Sequence, residues 1–202
     1  MKESTKKILI TGGVVVAIIL MIYSFFAGTY NTIVTLDENV NASFAQVQNQ
    51  YQRRYDLIPN LVNTVKGYAS HEKEVFEQVT DARSKAGGVV NIDSSVLDDP
   101  ERLRQFQQIQ DNLSSSLQRL LAVTENYPQL KANENFLALQ DQLEGTENRI
   151  ATERKRLTDS VREYNTYIRR FPKNIIANMN GFEKKAQFEA SSQAQNAVQV
   201  EF

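Results

Sequence analysis

The run from Val40 to Ala86, VNASFAQVQNQYQRRYDLIPNLVNTVKGYASHEKEVFEQVTDARSKA, decides how this chain folds. Val40, Phe44, Val47, Tyr51, Arg54, Ile58, Leu61, Val65, Tyr68, Glu72, Val75, Val79, Ala82 and Ala86 follow one another at alternating steps of four and three. That is the heptad spacing of helices packed side by side. The phase passes Pro59 and Gly67 without slipping. The run therefore reads as one helix from about Leu36 to Ala86, kinked near Pro59, whose ring removes the hydrogen bond to Tyr55.

Downstream, paired glycines with Asp and Ser residues make Gly87–Asp98 a loop. Asp99, Pro100 and Glu101 look like an N-cap, a first-turn proline and an acid at the helix dipole. The helix they start carries Leu103, Phe106, Gln110, Leu113, Leu117, Leu120, Thr124 and Tyr127 on one seam. After a turn at Pro128, Asn133 is a plausible N-cap for a helix whose seam runs from Phe136 through Leu143, Ile150, Leu157 and Tyr164 to Phe171. Pro172 stops it; Lys173–Met179 forms a short helix with Gly181 as its cap. The fold class expected is all-α: an elongated antiparallel up-down bundle of three long helices plus C-terminal pieces.

Upstream, Ile8 to Ala27 is twenty residues without a charge, and at ~1.5 Å per residue it spans a bilayer core. Tyr23, Phe25, Phe26 and Tyr30 sit where an aromatic belt would lie. The apolar run is longer than a signal-peptide core of ~7–15 residues, so it reads as an uncleaved anchor continuous with the first bundle helix. Lys2, Lys6 and Lys7 precede it and Asp37 and Glu38 follow, which places the N-terminus in the cytoplasm and the bundle outside. The division expected is residues 1–7 cytoplasmic, 8–29 transmembrane, 30–188 extracytoplasmic bundle and 189–202 flexible tail.

The chain has 202 residues, a net charge of -1 and no cysteine, which excludes disulfides, thiolate metal sites, cysteine nucleophiles and a lipoprotein anchor. The near-zero charge gives no pull toward nucleic acid. His71 is the only histidine; with Glu72 beside it and no second histidine, it makes a poor metal site. No Ser-His-Asp grouping, P-loop or glycine-rich dinucleotide loop occurs. The expectation is a protein with no enzymatic activity and no cofactor.

Several runs together resemble the LemA family of bacterial membrane proteins: Tyr30–Asn31, Leu36–Asp37–Glu38, the stretch RRYDLIPNLV from Arg53, GYASHE from Gly67, and Ala82–Arg83. They continue in YPQLKANENF from Tyr127, ENRI from Glu147, Tyr164–Asn165, Phe171–Pro172 and Gly181–Phe182. Leu157–Thr158–Asp159 departs from that pattern, where similar proteins tend to have an aromatic residue followed by Asn. The resemblance implies a membrane-anchored helical bundle and supplies no catalytic residues. The family's short N-terminus has been predicted to lie outside; the lysines of this sequence argue the reverse.

Three groups of residues stand out as candidate sites. The Arg53, Arg54, Asp56, Pro59 and Asn60 cluster either secures the proline kink or forms an interaction surface. Counting levels along antiparallel neighbours brings Glu72, Gln110 and Arg154 together as a buried polar layer. The first helix extends roughly 75 Å past the membrane and the second only about 42 Å. Val40, Phe44, Val47 and Tyr51 are thus left without an intrachain partner unless the C-terminal segment folds back or the kink shortens the bundle. An apolar stripe of that kind marks an oligomer interface. The functional expectation is a membrane scaffold or adaptor that self-associates through its first helix. The alternative is a sensor-like receptor module acting through a partner protein. Expected partners are the lipid bilayer, further copies of the chain, and other membrane or envelope proteins.

Overall fold

The computed structural model describes residues 3–89 and 92–188, so the tail expected at 189–202 lies outside the described residues. The described chain is all-helical. Its elements are α1 (Glu3–Lys66), α2 (Lys73–Gly87), a 3-10 turn (Ser94–Asp98), α3 (Pro100–Thr124), α4 (Pro128–Lys131), α5 (Glu134–Arg169) and α6 (Lys173–Met179). They divide into two compact units, one of Met1–Asn39 with Glu163–Lys184, the other of Val40–Arg162 with Lys185–Phe202.

The single long helix expected over Leu36–Ala86 is not what forms. Pro59 stays inside α1, but the helix ends at Lys66 and the chain turns before α2. The backbone N–H groups of Tyr68 and Ala69 close on the Val65 carbonyl at 3.0 and 2.9 Å. Gly67 costs about 1 kcal/mol in a helix interior, which favours the break there. Beyond the turn, α2 runs back along α1: Arg83 reaches the carbonyl of Tyr55, and Gly87 lies against the Tyr55 ring. The heptad phase survives because both helices turn their seams to the same core, so unbroken phase did not mean an unbroken helix. The first long helix is a hairpin.

This hairpin sets the direction of everything after it in the larger unit. Arg119 on α3 bonds Gln78 on α2 at 3.1 Å, and Tyr127 bonds Glu72 at 3.1 Å, which makes α2 and α3 antiparallel. Phe44 and Tyr51 meet Phe106, and Arg54 meets Gln110 and Ser114, so α3 runs parallel to α1. The Ser43–Ser160 and Arg54–Glu147 contacts make α5 antiparallel to α1. The result is an up-down-up-down arrangement of four helices, whose core holds Ile58, Leu61, Val65, Phe76, Val79, Leu113, Leu117, Leu120, Phe136 and Leu143.

The local start and stop signals behave as read. Asp99 Oδ1 accepts from the N–H of Glu101 and Arg102 at 2.8 and 3.3 Å, and Asn133 Oδ1 from that of Phe136 at 3.0 Å. Gly181, at φ +74°, closes α6: the Phe182 N–H reaches the Ala177 carbonyl and the Gly181 N–H that of Asn178.

In the smaller unit, Thr29, Ile33 and Leu36 of α1 are buried, as are Tyr164, Ile168, Ile176 and Ala177. The apolar residues from Leu9 to Phe26 are exposed, and α1 is long and apolar enough there to cross a membrane.

Candidate functional site

α2 is only 15 residues long, so it covers α1 back to about Tyr55 and no further. The stripe of Val40, Phe44, Val47 and Tyr51 beyond that level is nevertheless buried. Phe106 of α3 packs on Phe44 and Tyr51 with ring centroids 6.2 and 5.6 Å away, and Gln48 donates to the Ile92 carbonyl of the α2–α3 connection. Val96 and Leu97 of the 3-10 turn are buried as well. Residues 185–188 then return across this region. Ala186 N–H bonds the Leu97 carbonyl, Lys185 pairs with Asp98 at 3.1 Å, and Phe188 meets Phe106 at 6.5 Å. The connection and the C-terminal segment thus take the place a longer α2 would have filled. The exposed stripe expected from sequence does not exist, so Val40, Phe44, Val47 and Tyr51 offer no surface for an oligomer interface.

The expected polar layer is also regrouped. Glu72, Gln110 and Arg154 do not meet, because the level count assumed α3 antiparallel to a continuous first helix. Glu72 lies at the hairpin turn and accepts from the Tyr127 hydroxyl, a bond that raises the pKa of that phenol. Gln110 belongs to a layer centred on a residue placed in another group, Arg54. Its guanidinium, 1% exposed, donates to Ser114 Oγ (2.6 Å), Glu147 Oε1 (2.9 Å), Gln110 Oε1 (2.6 Å) and the Gln110 carbonyl (3.3 Å). It also lies 5.1 Å from the centroid of the Tyr51 ring. Arg154 sits beside this layer, 3.6 Å from Asp111 and over the Phe188 ring at 4.5 Å. Burial pushes the Tyr51 phenol pKa upward, opposed by the charges of Arg154 and Arg54. Arg54 Nε, Gln110 Nε2 and Tyr51 Oη have no hydrogen-bond partner among the described residues.

The rest of the Arg53–Asn60 cluster is less unified. Arg53, Asp56 and Asn60 are exposed, and Asp56 accepts from Gln52 at 2.7 Å rather than pairing with Arg53. What serves the proline is Arg83. Pro59 leaves the Tyr55 carbonyl without its helical donor, and Arg83 Nε supplies a long one at 3.5 Å while its guanidinium lies 4.0 Å over the Tyr55 ring.

Sequence reasoning missed Ser114, Glu147 and Arg83; for Glu147 and Arg83 the signal was present in the runs carrying the resemblance. Those runs touch one another: Arg54 with Glu147, Tyr55 with Arg83, Glu72 with Tyr127, and Tyr68 with Asn133 at 3.0 Å. They hold helices together at chosen levels. His71 is exposed in the turn, and among the described residues no group of three or more metal-binding side chains gathers.

Concave features among the described residues include a cleft and a groove. In the larger unit a cleft of about 350 Å³ opens between α3 and α5, with Ser114 and Glu147 at its polar end and Leu117, Leu121 and Leu143 along its wall. Glu147 is 38% exposed there, so the buried cation is linked through it to solvent. In the smaller unit a groove of about 630 Å³ lies between the apolar part of α1 and the end of α6.

Known proteins resemble this chain over most of its length. Magnetosome proteins MamQ 2 and MamQ 1 of Paramagnetospirillum magneticum are each 27% identical over 179 residues. Magnetosome protein MamQ of Magnetospirillum gryphiswaldense is 26% identical over 178. Each match covers 79% of this chain and 64% of the relative, so the chain spans less than two thirds of those proteins. The model of the LemA family matches residues 43–202, which takes in α2 to α6 and the bundle part of α1. With an N-terminal helix suited to a bilayer and a bundle built from the runs described above, this membrane-located chain belongs to the LemA family.

Proposed function

We propose that the protein is a membrane-anchored, non-enzymatic scaffold or adaptor that associates with itself and with other membrane or envelope proteins at the bilayer surface. The observation that carries this reading is where the large apolar side chains lie exposed. They concentrate on α1 before Asn31 and on the α6 region, at Phe171, Ile175 and Met179; the larger unit exposes only Tyr68 and Leu137 among its described residues. A surface with that distribution has its partners at the membrane. In the bundle, the buried cation is tied to four acceptors that join three helices, an arrangement suited to fixing register rather than moving protons. The lysines before the apolar run and the acids after it support an N-terminus on the cytoplasmic side.

The test is the native mass of the full chain extracted in mild detergent. A mass at a multiple of 23.0 kDa, after subtraction of detergent, is expected. A monomer with no associated protein overturns the reading. The α3–α5 cleft favours a second reading, a receptor module acting through a partner protein. A stoichiometric partner whose attachment is lost when Leu121→Trp fills that cleft would support it.

A further inference from the structure

α6 carries an unusual outward face. Ile176 and Ala177 are buried at 1% exposure, whereas Ile175 and Met179, four residues apart on the other side, are 47% and 70% exposed. Phe171, in the turn before α6, is 82% exposed. Ile175 and Met179 thus share one face of α6 at i and i+4, with a third large apolar side chain exposed at its start and nothing among the described residues of the smaller unit over them.

The position of this face in its unit identifies what covers it. The Gly181 turn brings Phe182 onto Tyr30, with ring centroids 5.8 Å apart. Met179 and Asn180 share a groove with Ile19, Ile22, Tyr23 and Phe26 of the apolar part of α1. Ile19 lies eight residues before Ala27, about 12 Å inside the end of that apolar run. The end of α6 therefore lies beside the C-terminal part of the apolar run of α1, the part next to the expected membrane surface. The charges fit as well. Within Glu163–Lys184 of this unit, Arg169, Arg170, Lys173 and Lys184 are opposed only by Glu163 and Glu183. Arg169 and Arg170 are exposed, and Lys173 is held 3.6 Å from the centroid of the Tyr167 ring.

We infer that α6 is an interfacial membrane helix: Phe171, Ile175 and Met179 enter the acyl layer beside α1, and Arg169, Arg170 and Lys173 meet the lipid phosphates. Short apolar faces flanked by cations bind bilayers in this way, more strongly when the lipids are anionic. The protein then grips its membrane at two points, a spanning helix and a surface helix whose end rests against it. The inference rests on α1 crossing the bilayer; it gives the α6 face to lipid, so that the partner surface of the scaffold reading is then the exposed apolar part of α1.

The chain contains no tryptophan, so one introduced tryptophan reports alone. Full-length Ile175→Trp and Met179→Trp are reconstituted into phosphatidylcholine vesicles with and without phosphatidylglycerol, and with acyl chains brominated or not. Tyr23→Trp marks the membrane helix. The expected result is that brominated lipid removes most of the emission at 175 and 179, as it does at 23, while aqueous iodide leaves it nearly unchanged. Arg169→Glu with Arg170→Glu should weaken the quenching of the tryptophan at 175 in phosphatidylglycerol vesicles and leave that at 23 intact. Quenching at 23 but iodide access at 175 and 179 overturns the inference. So does protection from both quenchers, which would mean a protein partner or a second copy covers the face. Failure at 23 itself would instead remove the membrane-spanning reading of α1.

Discussion

Replacing Arg54 is the sharpest perturbation of the bundle. Arg54→Ala removes a guanidinium that is 1% exposed and bonded to Ser114, Glu147 and both oxygens of Gln110. Breaking a buried ion pair by deleting one partner typically costs about 3–5 kcal/mol. Here Glu147 is 38% exposed and rehydrates when its partner leaves, so the lower end applies, about 3 kcal/mol. Most of that cost comes from the void and from Gln110 Oε1, which stays buried without a donor. Arg54→Met fills the void and should cost roughly 1–2 kcal/mol. Glu147→Gln keeps an acceptor at the same place and should cost about 1 kcal/mol or less. Urea unfolding in detergent micelles, followed by far-ultraviolet circular dichroism, measures all three. The expected order is Arg54→Ala, then Arg54→Met, then Glu147→Gln. An Arg54→Ala cost below about 1 kcal/mol, the range of ordinary surface changes, would refute the assignment of this layer as a structural lock.

Other consequences can be checked by the same unfolding measurements. Arg83→Ala should cost about 1–2 kcal/mol by leaving the Tyr55 carbonyl and ring without a cation, and less in a Pro59→Ala background, where residue 59 supplies its own N–H; equal costs in both backgrounds would contradict the link. Gly87→Ala should destabilise, because the new Cβ would lie 3.0 Å from Tyr55 Oη, whereas Gly88→Ala, with only an ordinary 3.5 Å contact and φ -69°, should stabilise by about 0.5–1 kcal/mol. Phe44→Ala, 1% exposed, should cost about 3–5 kcal/mol, and a single cysteine at 44 or 47 should react slowly and form no intermolecular disulfide in membranes; ready crosslinking would restore the oligomer interface there. Asp99→Ala should cost about 1 kcal/mol through loss of the α3 cap.

Much of this was legible in the sequence, and the misses share one cause. The charge-free run, the caps at Asp99, Asn133 and Gly181, and the α3 and α5 seams are local signals, each decided by a few neighbouring residues, and they reappear in the structure, except that Phe171 lies past the end of α5 and is exposed rather than on its seam. The turn at Gly67 is local too, but the heptad phase continued across it and outweighed a lone glycine. Once that turn was read as helix, the directions of α3 and α5 were inverted against α1. Glu72 was then set beside Gln110, whose partner is Arg54, and the Val40–Tyr51 stripe was left uncovered. Arg54 itself was visible as a charged residue in an apolar seam. Its partners Ser114 and Glu147 are 60 and 93 residues away, and only the right topology brings them to it. The coverage by the α2–α3 connection and residues 185–188 carries no periodic pattern, so no seam count could have found it.

The reversal at Gly67 is the claim on which the bundle depends, and a distance within the full chain tests it. Asp56 and Ser84 are exposed, and the chain has no native cysteine, so spin labels attach only at Asp56→Cys and Ser84→Cys. In a continuous helix these positions are 28 residues, or about 42 Å, apart. In the hairpin they lie on neighbouring helices whose axes are about 8–10 Å apart, so pulsed electron resonance of the protein in vesicles should give a label distance below about 25 Å. A narrow distribution near 42 Å would contradict the hairpin and return the chain to a single extended helix.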